Sequence, residues 1–194
     1  AAVGAVGYSF GLFFNPIQSS LGWSRTAISM AVTIRLLTIM FTSPVYGPIV
    51  DRKHGALLLM VLGGVLLGVV LILTSQMSHL WQFYLLIGVG SGMATAAIGP
   101  EIITPTLVAK WFIRMRGRAT AIVTLGNNIG AIIFIPLTGF VILNFGWRDA
   151  WLVLGAIAFV LVVPVSALVV RRTPEDVGLL PDGRNQSESL EHLG

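Results

Sequence analysis

Two stretches of this chain, 56–74 and 151–170, each run the length of a bilayer crossing without one charged residue. At about 1.5 Å of rise per residue, a helix of either length spans a hydrocarbon core of roughly 30 Å. Lipid offers no partner to a backbone N–H or C=O, so an open chain crosses it only as helix. The fold class that follows is all-α and polytopic. Apolar runs of this kind number six, at about 1–17, 26–50, 56–74, 80–109, 119–143 and 150–170.

Charge placement orients these spans, because Lys and Arg in short connections stay on the cytoplasmic side during insertion. The second, fourth and C-terminal connections hold Arg52 and Lys53; Lys110, Arg114, Arg116 and Arg118; and Arg171, Arg172 and Arg184. The alternate connections hold only Arg25 and Arg148. Both termini are therefore expected in the cytosol, with the protein in the plasma or inner membrane. Trp23, Trp81, Trp147 and Trp151 fall at expected outer boundaries and Trp111 at an inner one, where indole favours the headgroup level.

The formal net charge of +4 does not point to nucleic acid, since the basic residues sit where topology puts them and no aromatic-interleaved platform accompanies them. The absence of cysteine excludes disulfides and thiolate metal sites. All three histidines lie in loops or the tail, and no span carries a Ser-His, paired-Asp or His/Glu metal constellation. Neither an enzyme nor a cofactor or metal protein is expected.

Short connections make consecutive helices antiparallel neighbours. The six spans divide into two sets of three, the repeat unit from which transporter halves are built. Gly7 and Gly11, Gly64 and Gly68, Gly88 and Gly92, and Gly126 and Gly130 each stand four apart, a spacing that lets helix backbones approach closely in lipid. The membrane domain is expected over 1–172 and a cytosolic linker or tail over 173–194. Thr173, Pro174, Glu175 and Asp176 read as a short helix start, and the polar run beyond Pro181 reads as a mobile linker. The sequon Asn185-Gln186-Ser187 falls on the cytosolic side and is discounted. The chain opens inside its first apolar run with no initiator Met, as expected of a chain trimmed at its start.

Arg35 lies ten residues, or about 15 Å of helix, beyond Arg25 and so near the bilayer midplane. An arginine there costs ~2.5–3.5 kcal/mol on the insertion scale, while each Leu, Ile, Phe or Val returns only ~0.3–0.6 kcal/mol. A guanidinium cannot shed its proton, so it needs a carboxylate, a wet cavity or an anionic ligand beside it. Arg35, Thr38, Thr42 and Tyr46 share a helical stripe. So do Tyr8, Gly11 and Asn15 on the first span, and Thr124, Asn127, Ala131 and Thr138 on the fifth. Three polar stripes point to one shared cavity, with interhelical hydrogen bonding as the competing role for the Thr and Asn residues. Glu101 is the second buried charge. It either neutralises Arg35 as a permanent pair or carries a coupling proton. Pro100 and Pro105 leave its side-chain direction open, and the structural pair is the favoured expectation.

The connection Gly47-Pro48-Ile49-Val50-Asp51-Arg52-Lys53-His54-Gly55 resembles the G-x-x-x-D-R signature between the second and third helices of major facilitator superfamily transporters. The basic pair that usually follows is replaced by Ala56 and Leu57. Three further stretches resemble the monocarboxylate and oxalate–formate branch. They are Tyr8-Ser9-Phe10-Gly11 with Gly22-Trp23-Ser24-Arg25; Trp111-Phe112 with Arg114, Arg116 and Gly117; and Pro174-Glu175-Asp176-Val177-Gly178-Leu179. The resemblance implies a proton- or anion-coupled carrier of small organic acids that works by alternating access. It assigns Gly47, Asp51, Arg52, Gly55, Arg114 and Arg116 to cytosolic gating.

It also implies twelve helices with substrate held between two six-helix halves, of which this chain supplies the first, built from two inverted three-helix repeats. The missing C-terminal half would come in cis or from a second chain. The expected anion contacts are Arg35, Tyr8, Asn15, Thr38, Thr124 and Asn127. Two alternatives stand beside this reading: a sugar or drug carrier in which Arg35 and Glu101 are structural, and a non-transporting membrane subunit.

Overall fold

A computed structural model describes residues 7–52, 54–99, 108, 111–112 and 115–169. Among the described residues the helices are α1 (7–21), α2 (Arg25–Val50), α3 (Gly55–Thr74), α4 (Leu80–Ile98), α5 (Arg116–Phe145) and α6 (Trp147–Val169), of which α2 and α3 begin and end within a residue of the expected apolar runs. Among the described residues, α2 to α6 each contain a stretch long and apolar enough to cross a membrane. The first run is described only from residue 7.

Local chemistry sets the ends. Gly22 closes α1 in the left-handed region, at φ +71°, and its N–H donates to the Gln18 carbonyl. A side chain would be strained in that backbone conformation, so glycine lets the chain turn there. Ser24 then caps α2, its hydroxyl oxygen accepting from Ala27 N–H at 3.2 Å. At the start of α4 the Gln82 side-chain oxygen accepts from the N–H groups of Ser78 and His79. Gly146, at φ +97°, is the whole connection between α5 and α6.

Two helices are irregular. α2 contains Pro44 and Pro48, and just upstream Thr38, Thr42 and Ser43 donate their hydroxyls to the carbonyls of Ile34, Thr38 and Ile39. Such back-bonding bends helices and satisfies the hydroxyls without an external partner. In α4 the segment Tyr84–Gly90 winds as π-helix before returning to α over Ser91–Ile98.

Glycines make the tightest seams. A Cβ on Gly64 would lie 2.8 Å from Val162, and one on Gly155 would lie 3.0 Å from the Gly68 carbonyl oxygen, so α3 and α6 are in near backbone contact. Gly63 approaches Ala97 on α4, and Gly88 approaches Ile34 on α2, in the same manner. In lipid, where burying apolar surface between helices supplies no driving force, such close approach maximises dispersion contacts.

An aromatic cluster fills the end of the bundle that holds the α1–α2, α3–α4 and α5–α6 turns. Phe13 stacks on Trp151 with ring centroids 3.9 Å apart, Phe10 on Phe83 at 6.2 Å, and Trp23 leans on Phe83 at 5.7 Å. A smaller group, Val50, Ala56, Leu59 and Ala97, closes the opposite end. The tryptophans near that end differ in exposure. Trp151 is wholly buried and Trp147 nearly so, with the Arg148 guanidinium 4.6 Å above its ring; Trp81 is 62% exposed. Position along a span located these indoles, but the helix face decided that two of them serve the core.

Candidate functional site

The site is built where α2 and α4 run side by side. Gly92 lets them meet: a Cβ there would lie 2.8 Å from Thr38 Cβ and 3.0 Å from the Arg35 carbonyl oxygen. One turn further along α4, the hydroxyl oxygen of Thr95 accepts from Arg35 Nη2 at 3.1 Å. Thr95 is 3% exposed, whereas Arg35 is half-buried. The Thr95 carbonyl in turn accepts from the N–H of Gly99, which closes α4 at φ +66°. The guanidinium thus sits against the last described turn of α4, whose terminal carbonyls carry the negative end of the helix dipole. A cation placed there gains ~0.3–1 kcal/mol, more where water is thin.

Arg35 and Thr38 are therefore brought to one seam, with the Thr38 hydroxyl turned to its own helix at Ile34 O, 2.8 Å away. A threonine so engaged still offers hydroxyl lone pairs as acceptors. The other expected contacts occupy different surroundings. Tyr8 is 53% exposed on α1, on the opposite face from buried Ser9, Phe13 and Ile17. Asn15 shares that exposed face, and its side-chain oxygen accepts from Arg25 Nη2 at 3.0 Å, which ties α1 to the start of α2. Thr124 is exposed on α5 and donates to Thr120 O. Asn127 lies within α5, its side chain outside the described residues, as are Glu101 and Arg114 altogether.

The loop motif is described in part. Asp51 ends α2 and is exposed, as is Arg52, whose N–H donates to Ile49 O; Gly55 N–H then donates to Arg52 O. A Cβ on Gly47 would meet nothing within 4 Å among the described residues. The close approach falls at Gly55, where a Cβ would run into the Ile49 carbonyl. The reason is the short turn: the chain folds back on the last turn of α2 at the residue that starts α3. Arg116 and Arg118, expected in a connection, belong to the first turn of α5, and Arg116 Nε donates to Phe112 O at 3.0 Å.

Sequence reasoning missed Thr95 and Ser9. Ser9 is fully buried and receives a long hydrogen bond, 3.4 Å, from the Thr138 hydroxyl, which also reaches Phe134 O. Thr95 was signalled by spacing: it continues the Gly88 and Gly92 face by three residues, so whatever packs on those glycines also meets Thr95. A surface groove of about 310 Å³ between the end of α3 and the start of α4, lined by Met77, Trp81 and Leu85 among others, contains none of the expected contacts.

Comparison with known proteins bears on what this seam serves. The family model described as Major Facilitator Superfamily matches residues 1–192. The chain is similar to Monocarboxylate transporter 13 of Rattus norvegicus, with 30% identity over 88% of this chain and 39% of that protein. It is also similar to Monocarboxylate transporter 13 of Bos taurus, with 28% identity over 95% of this chain and 42% of the relative. Monocarboxylate transporter 7 of Homo sapiens is 25% identical over 80% and 29%, respectively. The chain therefore spans well under half the length of these relatives.

Proposed function

The chain belongs to the major facilitator superfamily, and on that premise we propose that it forms the N-terminal six-helix half of a carrier for a small organic anion. It is a multi-pass membrane protein of a transporter family. The carried solute in this reading is a mono- or dicarboxylate, moved by alternating access, with no covalent chemistry on the solute.

One observation carries the reading. A permanent cation stands well inside an apolar helix, half-buried and held by a neighbouring hydroxyl. A planar guanidinium is suited to take a carboxylate through two parallel N–H bonds. The relatives described above are monocarboxylate transporters, which supports the same solute class. Tyr8, Asn15, Thr38, Thr124 and Asn127 then complete the lining from the stripes of α1, α2 and α5. Glu101 either pairs with Arg35 or carries the coupling proton, and a counter-anion is the other coupling species.

The remaining parts follow the family plan. The C-terminal six helices, in cis or in a second chain, close the cavity opposite this half. The loop from Gly47 through Asp51 and Arg52 to Gly55, with Arg114 and Arg116, latches the cytosolic side. Both termini lie in the cytosol, the tail over 173–194 leads out of the membrane domain at 172, and the membrane is the plasma or inner membrane.

Uptake into proteoliposomes containing the complete transporter tests the reading. Small carboxylates should compete with labelled lactate, and Arg35→Gln should abolish that competition while the protein remains folded. Uptake insensitive to carboxylates, or unchanged by Arg35→Gln, would instead favour a carrier of another solute. The Thr95 bond supports that second reading too, because it gives Arg35 a structural tie between α2 and α4.

A further inference from the structure

α1 changes its winding part way along. After Gly7–Ser9 the segment Phe10–Phe13 runs as 3-10 helix, and ordinary α winding resumes over Phe14–Leu21. The amino-acid sequence supplies a reason. Proline brings no N–H, so Pro16 gives the Leu12 carbonyl no α-type donor, and its ring crowds that oxygen. Gly11, inside the segment, is a poor former of α-helix. At about three residues per turn Phe10 and Phe13 stand on one line. Both rings enter the aromatic cluster, Phe10 against Phe83 at 6.2 Å and Phe13 against Trp151 at 3.9 Å. Phe83 directly precedes the π-helical segment of α4, so the ring that receives Phe10 stands at a second irregular joint.

The two flanks of the segment are held unequally. Downstream, the Phe13–Trp151 stack and the 3.0 Å hydrogen bond from Arg25 Nη2 to Asn15 fix α1 to α6 and α2. Upstream, Ser9 accepts from the Thr138 hydroxyl of α5 at 3.4 Å, beyond the usual length, and Tyr8 is 53% exposed. Uninterrupted α winding leaves Tyr8 and Asn15 about 20° apart around the helix axis, whereas the four residues at 3-10 winding leave them about 60° apart. Restoring α winding therefore turns Tyr8 by roughly 80° against Asn15 and carries Ser9 off Thr138.

We propose that Phe10–Phe13 is a winding switch in α1, 3-10 in the arrangement described and α when a carboxylate is held, which swings Tyr8 into line with Asn15 to close on the anion. The proposal rests on the reading of Tyr8 and Asn15 as anion contacts and deepens it. A ligand shifts an equilibrium between two forms only by its differential affinity for them, and a carboxylate touching both side chains prefers the form that aligns them. Pro16 and Gly11 weaken the α form enough for the 3-10 form to compete.

The pair Ser9→Cys and Thr138→Cys in the complete transporter, on a background without other cysteines, reads the winding. In detergent without solute, a short thiol-to-thiol reagent should join the two positions, and saturating lactate should slow the joining about tenfold as the α form takes over. Pro16→Ala gives the Leu12 carbonyl its α-type donor, so half of that protection should need about fivefold less lactate, the worth of one backbone hydrogen bond. Failure to crosslink without lactate would overturn the switch, as would half-protection at the same lactate concentration with and without Pro16→Ala. Uptake by Arg35→Gln in the otherwise unaltered transporter separates the two levels. If that substitution abolishes lactate uptake and lactate gives the crosslink no protection, the switch alone fails; if uptake survives it, the anion reading fails and takes the switch with it.

Discussion

A Cβ on Gly64 or Gly68 of α3 would crowd Val162 or Phe159 of α6, at 2.8 and 3.1 Å, whereas Gly7 and Gly11 on α1 face open space among the described residues. In the amino-acid sequence the two pairs are indistinguishable: each is glycine, three residues, glycine, inside an apolar run. Gly88 and Gly92 join the packed kind, against Ile34 and Thr38, and Gly126 joins the open kind. The division follows the helices. Of the most apolar windows, 44% of α3 and 56% of α4 lie inside the bundle, against 17% of α2 and 22% of α5. Four-residue spacing thus licenses close approach, and the neighbour decides whether it happens. Gly7 and Gly11 lie on the same side of α1 as Tyr8 and Asn15, a side without a packed neighbour among the described residues.

The largest test of this division is Gly68→Leu. A leucine would have to displace Phe159 and the backbone of α6, and overpacking of this kind costs ~1–3 kcal/mol or more. We expect a loss of folded protein in detergent by size-exclusion chromatography; a stable, monodisperse variant would break the comparison.

Gly88→Ala is milder, because Ile34 is a side chain with some freedom to move. A drop of ~1–2 kcal/mol in a reversible unfolding titration is expected. That result would place α2–α4 between the tight α3–α6 seam and the open stripe.

Smaller again is Arg148→Gln. Arg148 Nη1 donates to Ser75 O at the end of α3 from the start of α6, and its guanidinium covers Trp147. Losing that tie should cost ~1 kcal/mol, seen as a lower thermal midpoint with the fold intact.

Least affected should be Gly11→Ala, within ~0.5 kcal/mol of wild type in stability, since the added methyl meets nothing among the described residues. A destabilisation equal to that of Gly88→Ala would show that the open stripe is packed in the folded protein.

Much of the architecture was legible beforehand because one physical requirement dominates: apolar length without charge. The ends of α3 at Gly55 and Thr74 fall within a residue of the expected run, and α2 does equally well. Where α4 ends was less legible. The apolar run continues to residue 109, but Gly99 adopts a positive φ and closes the described helix at Ile98. Apolar composition records what lipid tolerates and says little about a backbone break inside it. The contact between α2 and α4 was legible by half. Arg35 announces itself through its cost, and its stripe partner Thr38 through periodicity. Thr95 carries no charge and no motif, and its role depends on which helix lies beside α2.

The sequence by itself determined that this chain makes apolar helices, roughly where each begins, and that a fixed cation stands among them, because hydropathy and backbone hydrogen bonding act locally along the chain. Only the tertiary structure decided that α4 lies against Arg35, that Gly55 rather than Gly47 marks a tight approach among the described residues, and that Trp151 stacks in the core on Phe13. Those choices come from shape fitting between helix faces, a property of pairs of segments far apart in the chain, which no single segment encodes.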